Sequence, residues 1–249
     1  MLTIAKIRNV NIKPFWYNRL LYFIGFCLIA HHFYILMKYA IDVPWHDSWA
    51  FLEQGALDRS LNVNWLFRTH NEHIVLTTKI YYWLFLLIDS LNFKHMVFVN
   101  FFFYISIPIV IALFLERRLK IPCGIIFIPY ASMITIENIS WAFQIQHHFC
   151  ILFFILGCIT IDTQKRSQIM SPIFIVLSVF SFSYGIPFLI PYILLCGFLY
   201  FTERNKKYIF FILIVLLAFV LWVQLAKNSI TSNHVNSYPW DFRVWFSFF

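Results

Sequence analysis

The chain has 249 residues, of which 61% are hydrophobic and 12% charged, and its mean hydropathy is +0.74. Soluble domains carry roughly 25% charged residues, so this composition excludes one, and the length reads as a count of membrane spans. The formal charge of +8 does not imply nucleic acid, because the basic residues sit at the ends of apolar runs and not as a stripe on one folded face.

In chain order the apolar runs predict an all-α fold, a polytopic transmembrane helix bundle of about seven spans making one transmembrane domain over residues 1–249. The spans fall near 20–40, 95–115, 122–137, 146–162, 171–186, 187–202 and 208–226. The first run is long enough to span and has no small-residue cleavage site behind it, so it reads as a span and not as a signal peptide. Residues 41–93 form the first loop, which includes a shorter apolar stretch at 74–89. That stretch begins Ile-Val-Leu-Thr-Thr-Lys, ends at Asp89, and suits an interfacial helix better than a crossing. Tyr184-Gly185 with Pro187 and Pro191 mark the bend between the fifth and sixth spans. All five cysteines fall in apolar runs without zinc-ligand spacing, so they read as packing residues. Residues 227–249 form a C-terminal tail whose end reads as the start of another membrane element, cut short.

The basic clusters orient the chain. They are Lys6, Arg8, Lys13 and Arg19; Arg117, Arg118 and Lys120; Lys165 and Arg166; and Arg204, Lys206 and Lys207. All share one side only if 74–89 does not cross, and that side is then cytoplasmic. The first loop, the Glu137–His148 turn and the C-terminal tail face outward together.

Most of the chain's acidic groups gather on that outward side. Titratable groups at a water–lipid boundary are costly and mark candidate sites. Asp47 follows the first span in the run Trp45-His46-Asp47-Ser48-Trp49, beside His46, a candidate substrate-binding residue. Asp47 can cap a short helix over Ser48–Arg59, act as a general base, or do both. Arg68, His70, Asn71, Glu72, His73 and Lys79 come next. They read as a polar network for a sugar or phosphate, or as an ordinary solvated loop. A divalent metal is the other possibility, although His-Glu-His at this spacing does not match a zinc helix. The third group holds Glu137, Trp141, Gln144 and His147, side-chain types that meet sugar hydroxyls and ring faces. Trp141 alone also reads as an interfacial anchor. Asp47, Glu72 and Glu137 are expected to converge. His31 and His32, inside the first span, read either as satisfied core histidines or as a proton relay.

At these residues the chain resembles the GT-C class of multispanning glycosyltransferases. The resemblance rests on an N-terminal span followed at once by a long outward loop, and on an early Asp in the aromatic setting Trp45-His46-Asp47-Ser48-Trp49. Asn71-Glu72-His73 and Glu137-Asn138-Ile-Ser-Trp141-Ala-Phe-Gln144 are similar to segments of bacterial members, some of which decorate O-antigen or other surface glycans. The resemblance implies a polyprenyl-phosphate sugar donor, a glycan or lipid acceptor, inversion at the anomeric carbon, and residence in the bacterial inner membrane. Asp47 would be the base, and Arg68, Lys79 or Arg243 would face the phosphate. No cofactor is implied with certainty. A non-enzymatic membrane component, such as a lipid-linked sugar flippase subunit or a transporter, is the alternative. Few polar residues within the spans favour it.

Overall fold

The structure is a computed structural model that describes residues 16–52, 59–70, 73–119, 123–130, 136–161 and 166–229. Their regular structure is helical. The longer helices are α1 (Trp16–Tyr39), α2 (Leu76–Asp89), α3 (Phe93–Phe114), α4 (Ile145–Ile161), α5 (Met170–Val179), α6 (Leu189–Glu203) and α7 (Lys207–Ser229). Among the described residues, five helical stretches are long and apolar enough to cross a membrane: Trp16–Tyr39, Phe93–Arg118, Ala142–Ile161, Ser183–Glu203 and Lys207–Lys227. They fit a multi-pass membrane protein. The expected span at 122–137 is a short helical run over 124–130 followed by Ile136–Ser140, and the one at 171–186 is the ten-residue α5. The tail from 230 onward lies outside the described residues.

The chain divides into two compact units, Met1–Trp49 with Leu91–His148, and Ala50–Ser90 with Phe149–Phe249. In the first unit, α1 buries a narrow seam of Asn18, Gly25, His32 and Leu36. It leaves Trp16, Phe23, Phe26, Phe33, Tyr34 and Met37 exposed. A helix that is apolar all round suits lipid, which takes the exposed faces without a hydrophobic penalty. Gly25 lets the 124–130 segment lie directly on α1, since a β-carbon there would stand 2.5 Å from Cβ of Phe127. His32 uses its Nδ1 on the Leu28 carbonyl one turn back, at 3.0 Å. At the same end of α1 as Asn18, the Glu116 carboxylate accepts from Tyr22, Asn18 and the Cys123 amide, and Asn18 Oδ1 accepts from the Gly124 amide. At the other end, Asp42 accepts from the Phe93 amide at 2.6 Å and Asn92 caps α3. The chain therefore passes between residues 124 and 141 from the Asn18 end of α1 to the Trp45 end, where Trp141 bonds the Trp45 carbonyl.

In the second unit α7 carries a buried seam of Tyr208, Phe211, Val215, Ala218, Trp222 and Ala226. The seam repeats every three or four residues and packs with Ile175, Val179, Leu189, Tyr192 and Cys196. Ser171 donates to the Gly157 carbonyl and Ser178 to that of Cys150, so α5 runs antiparallel to α4. The chain then breaks between Phe180 and Phe188. Gly185 makes the break possible, because a β-carbon there would stand 2.5 Å from the Ser178 carbonyl oxygen. The five cysteines are all free thiols.

Candidate functional site

Within the first unit, two segments far apart in sequence meet at the Tyr39 end of α1. Residues 45–49 make a tight turn, in which the Ser48 amide reaches the Trp45 carbonyl and the Trp49 amide that of His46. His46 takes a left-handed conformation with φ 43°, a strained geometry for a non-glycine residue. The indole of Trp141 donates to the Trp45 carbonyl at 2.9 Å and toward Ser48 Oγ at 3.3 Å. The two contacts bracket Asp47, which is half-buried. The ring of His46 lies 5.6 Å from that of Trp141 and 4.8 Å from that of Trp45.

Beside this junction is a cavity of about 350 Å³. Ile35, Leu36, Val97 and Ile136 are among its apolar walls, and its polar and aromatic lining includes Tyr39, Trp45, Ser48, Glu137, Ser140 and Trp141. Glu137 is exposed and Ser48 fully buried. Of the expected residues, His46, Asp47, Glu137 and Trp141 thus belong to one neighbourhood. Gln144 lies in the short turn before α4, and its Oε1 is buried with no hydrogen-bond partner among the described residues. His147 is half-buried in the first turn of α4.

Asn100, a polar residue inside α3, is the hub behind this segment. It is fully buried. Its amide nitrogen donates to the carbonyls of Asn138 at 2.9 Å, Ile139 at 3.3 Å and Trp141 at 3.0 Å. Its oxygen meets Nδ1 of the buried His148 at 2.6 Å. Carbonyls at a helix end have no partner within the helix, and Asn100 supplies one. The Asn100-to-His148 pair therefore fixes the main chain that carries Glu137, Ser140 and Trp141.

The remaining expected residues lie in the second unit. The main chains of His70 and His73 pair in both directions, at 2.8 and 3.0 Å. His70 is buried edge-on to Phe51, with ring centres 5.3 Å apart. His73 Nδ1 meets Ser183 Oγ at 2.5 Å, and Thr77 donates to Ser181 at 2.8 Å, which docks the start of α2 on the break after α5. Arg68 is exposed. Lys79 is 0% exposed. Its ammonium donates to the carbonyls of Trp65 and Arg68 and lies over the rings of Phe51 and Trp65. Burial, with the Arg68 charge adding to it, lowers its pKa to about 7. Asn71 and Glu72 lie outside the described residues, so of the expected convergence the structure describes Glu137 and Trp141 beside the turn that carries Asp47, which is not itself among the cavity-lining residues. Among the described residues no group of three His, Cys, Asp or Glu side chains is placed to hold a metal.

Comparison of the chain with protein families, with curated proteins and with solved structures finds no match.

Proposed function

We propose that the protein is a membrane glycosyltransferase that moves a sugar from a polyprenyl-phosphate donor to a surface glycan or lipid acceptor. The observation that carries this reading is the junction of Trp141 with the turn on either side of Asp47. It gathers a carboxylate, aromatic faces and hydroxyls beside an apolar cavity. Sugars are bound by that combination of ring faces and acceptor groups, and a lipid carrier needs the apolar wall.

Asp47 takes the proton from the acceptor hydroxyl as its oxygen bonds the anomeric carbon. The bond from that carbon to the carrier phosphate breaks, and the phosphate departs as an anion that needs no acid. Inversion follows from a single displacement. Of the residues expected at the phosphate, Lys79 has its ammonium held by main-chain carbonyls, which leaves Arg68 and Arg243 as the candidates. The chain would sit in a bacterial inner membrane with seven passes and its N-terminus in the cytoplasm. The Asp47→Asn variant tests the reading, since Asn keeps the size and the capping ability but accepts no proton. Transfer in membranes from a polyprenyl-phosphate sugar, measured beside membrane level, falls by ~10²- to 10⁴-fold. Transfer near the parent rate overturns the assignment of Asp47.

One observation favours the non-enzymatic alternative. The break between α5 and α6 brings the buried hydroxyls of Ser181 and Ser183 to Thr77 and His73, and interrupted helices are a feature of transport proteins. Uptake or flipping of a lipid-linked sugar that survives Asp47→Asn would favour it.

A further inference from the structure

The cavity in the first unit has a chemistry that separates possible occupants. Its walls are apolar from Ile35 and Leu36 to Val97. At one side stand the rings of Trp45 and Trp141, the hydroxyls of Ser48 and Ser140, and the carboxylate of Glu137. Among the described residues that line it, Glu137 is the charged one, and none is Lys or Arg. The nearby Lys38 holds its ammonium over the Tyr39 ring, 5.2 Å from the centre, and is not part of the lining. A phosphate entering here would find no Lys or Arg in the described lining and would meet the exposed carboxylate of Glu137, a like charge that disfavours it. A sugar ring would meet indole faces for its C–H surface and oxygen acceptors for its hydroxyls.

We infer that this cavity binds an amphiphile with an apolar chain and an uncharged carbohydrate head, presenting it beside Asp47 as the acceptor, while the phosphate-bearing donor occupies a different site. This rests on the transferase reading for the word acceptor, but the binding itself does not. The chain lies against Leu36 and Val97, and the head lies between the tryptophans with hydroxyls on Glu137.

The test uses the full chain in lipid nanodiscs and three diazirine-bearing alkyl probes, with glucoside, phosphate and trimethylammonium heads. Crosslinks are mapped by mass spectrometry. The glucoside probe is expected to label the cavity segments of α1, α3 and 136–142, to be displaced by unlabelled alkyl glucoside, and to exceed the phosphate probe by about tenfold. Glu137→Gln is expected to narrow that ratio toward unity, and Leu36→Trp, which fills the cavity, to remove the labelling. Should Leu36→Trp not reach the membrane, displacement by unlabelled glucoside decides the same point. The inference is overturned if the phosphate or trimethylammonium probe labels these segments as well as the glucoside, or if no labelling there can be displaced. Asp47→Asn is expected to keep the labelling while losing transfer. Labelling with unimpaired transfer in that variant would sink the catalytic assignment and leave the binding site standing.

Discussion

Single side chains here are explained by what they must satisfy inside a poorly hydrated interior. Lys79 is the extreme case, a fully buried ammonium held by two main-chain carbonyls. Its folded pKa of about 7 lies below the ordinary value of 10.5, so between those values the unfolded chain binds more protons. Stability contributed by this group therefore rises with pH across that window. Thermal inactivation of the parent should shift upward between pH 7 and 10, and the slope should flatten in Lys79→Met; equal slopes in both would refute the assignment. Asn100 is the counterpart in the other unit. Asn100→Leu keeps the bulk but strands three carbonyls and His148 Nδ1. A loss of ~2–4 kcal/mol is expected, at about 1 kcal/mol per buried bond. Thermal stability of the purified protein measures it, and a shift no larger than that of an exposed substitution such as Ile88→Ala would show that the hub is dispensable.

At the scale of elements, long apolar runs were legible in the sequence because a span needs only length and apolarity. The five long helices fall where those runs predict them. The short ones were not legible in detail. Tyr184-Gly185 and Pro187 mark the bend, but not that α5 ends as early as Val179, ahead of the close approach of Gly185 to Ser178. At the site, the Trp45–Trp49 turn pairs with Trp141, a contact between two of the segments that the sequence singles out. The hub at Asn100 and the Glu116 network with Asn18 and Tyr22 were missed, because each side chain's partner is a backbone group or a residue remote in sequence. Asp42 is likewise tied to the start of α3, 51 residues on. The α5–α6 break yields its own prediction. Gly185→Val would force its β-carbon into the Ser178 main chain and push the 180–188 segment off α5. Cysteines substituted at Ser181 and Ser183 should then become reactive to a maleimide that leaves them untouched in the parent background. Unchanged reactivity would mean that the break tolerates the added bulk.

For the whole molecule, the question is how many times the chain crosses. Five spans alone do not keep the basic residues together, because two consecutive long helices joined without a crossing between them would put Lys165 and Arg166 opposite Arg117 and Arg118. Two further passes, as in the proposed seven, would restore the agreement. Within each unit one stretch runs back along a long helix. In the first unit the 124–141 stretch leads from the Asn18 end of α1 to its Trp45 end. In the second, α5 returns along α4 from the level of Gly157 to that of Cys150. Residues 43–92, which hold α2, leave and return at the Trp45 end of α1, because Asp42 accepts from the Phe93 amide. A non-crossing α2 places Ser60 and Asp89 on the same outward face as Val43, and places Arg117 and Asn205 on the other. Single cysteines at these five positions, in a background without the native ones, should react with an impermeant maleimide according to that division. Ser60→Cys, Asp89→Cys and Val43→Cys should label on intact cells, and Arg117→Cys and Asn205→Cys only after permeabilisation. Labelling of Asp89→Cys from the inside alone would make α2 a crossing and split the basic clusters. It would also carry the segment after α2 to the face opposite Asp47, and so remove the arrangement on which the proposed transfer depends.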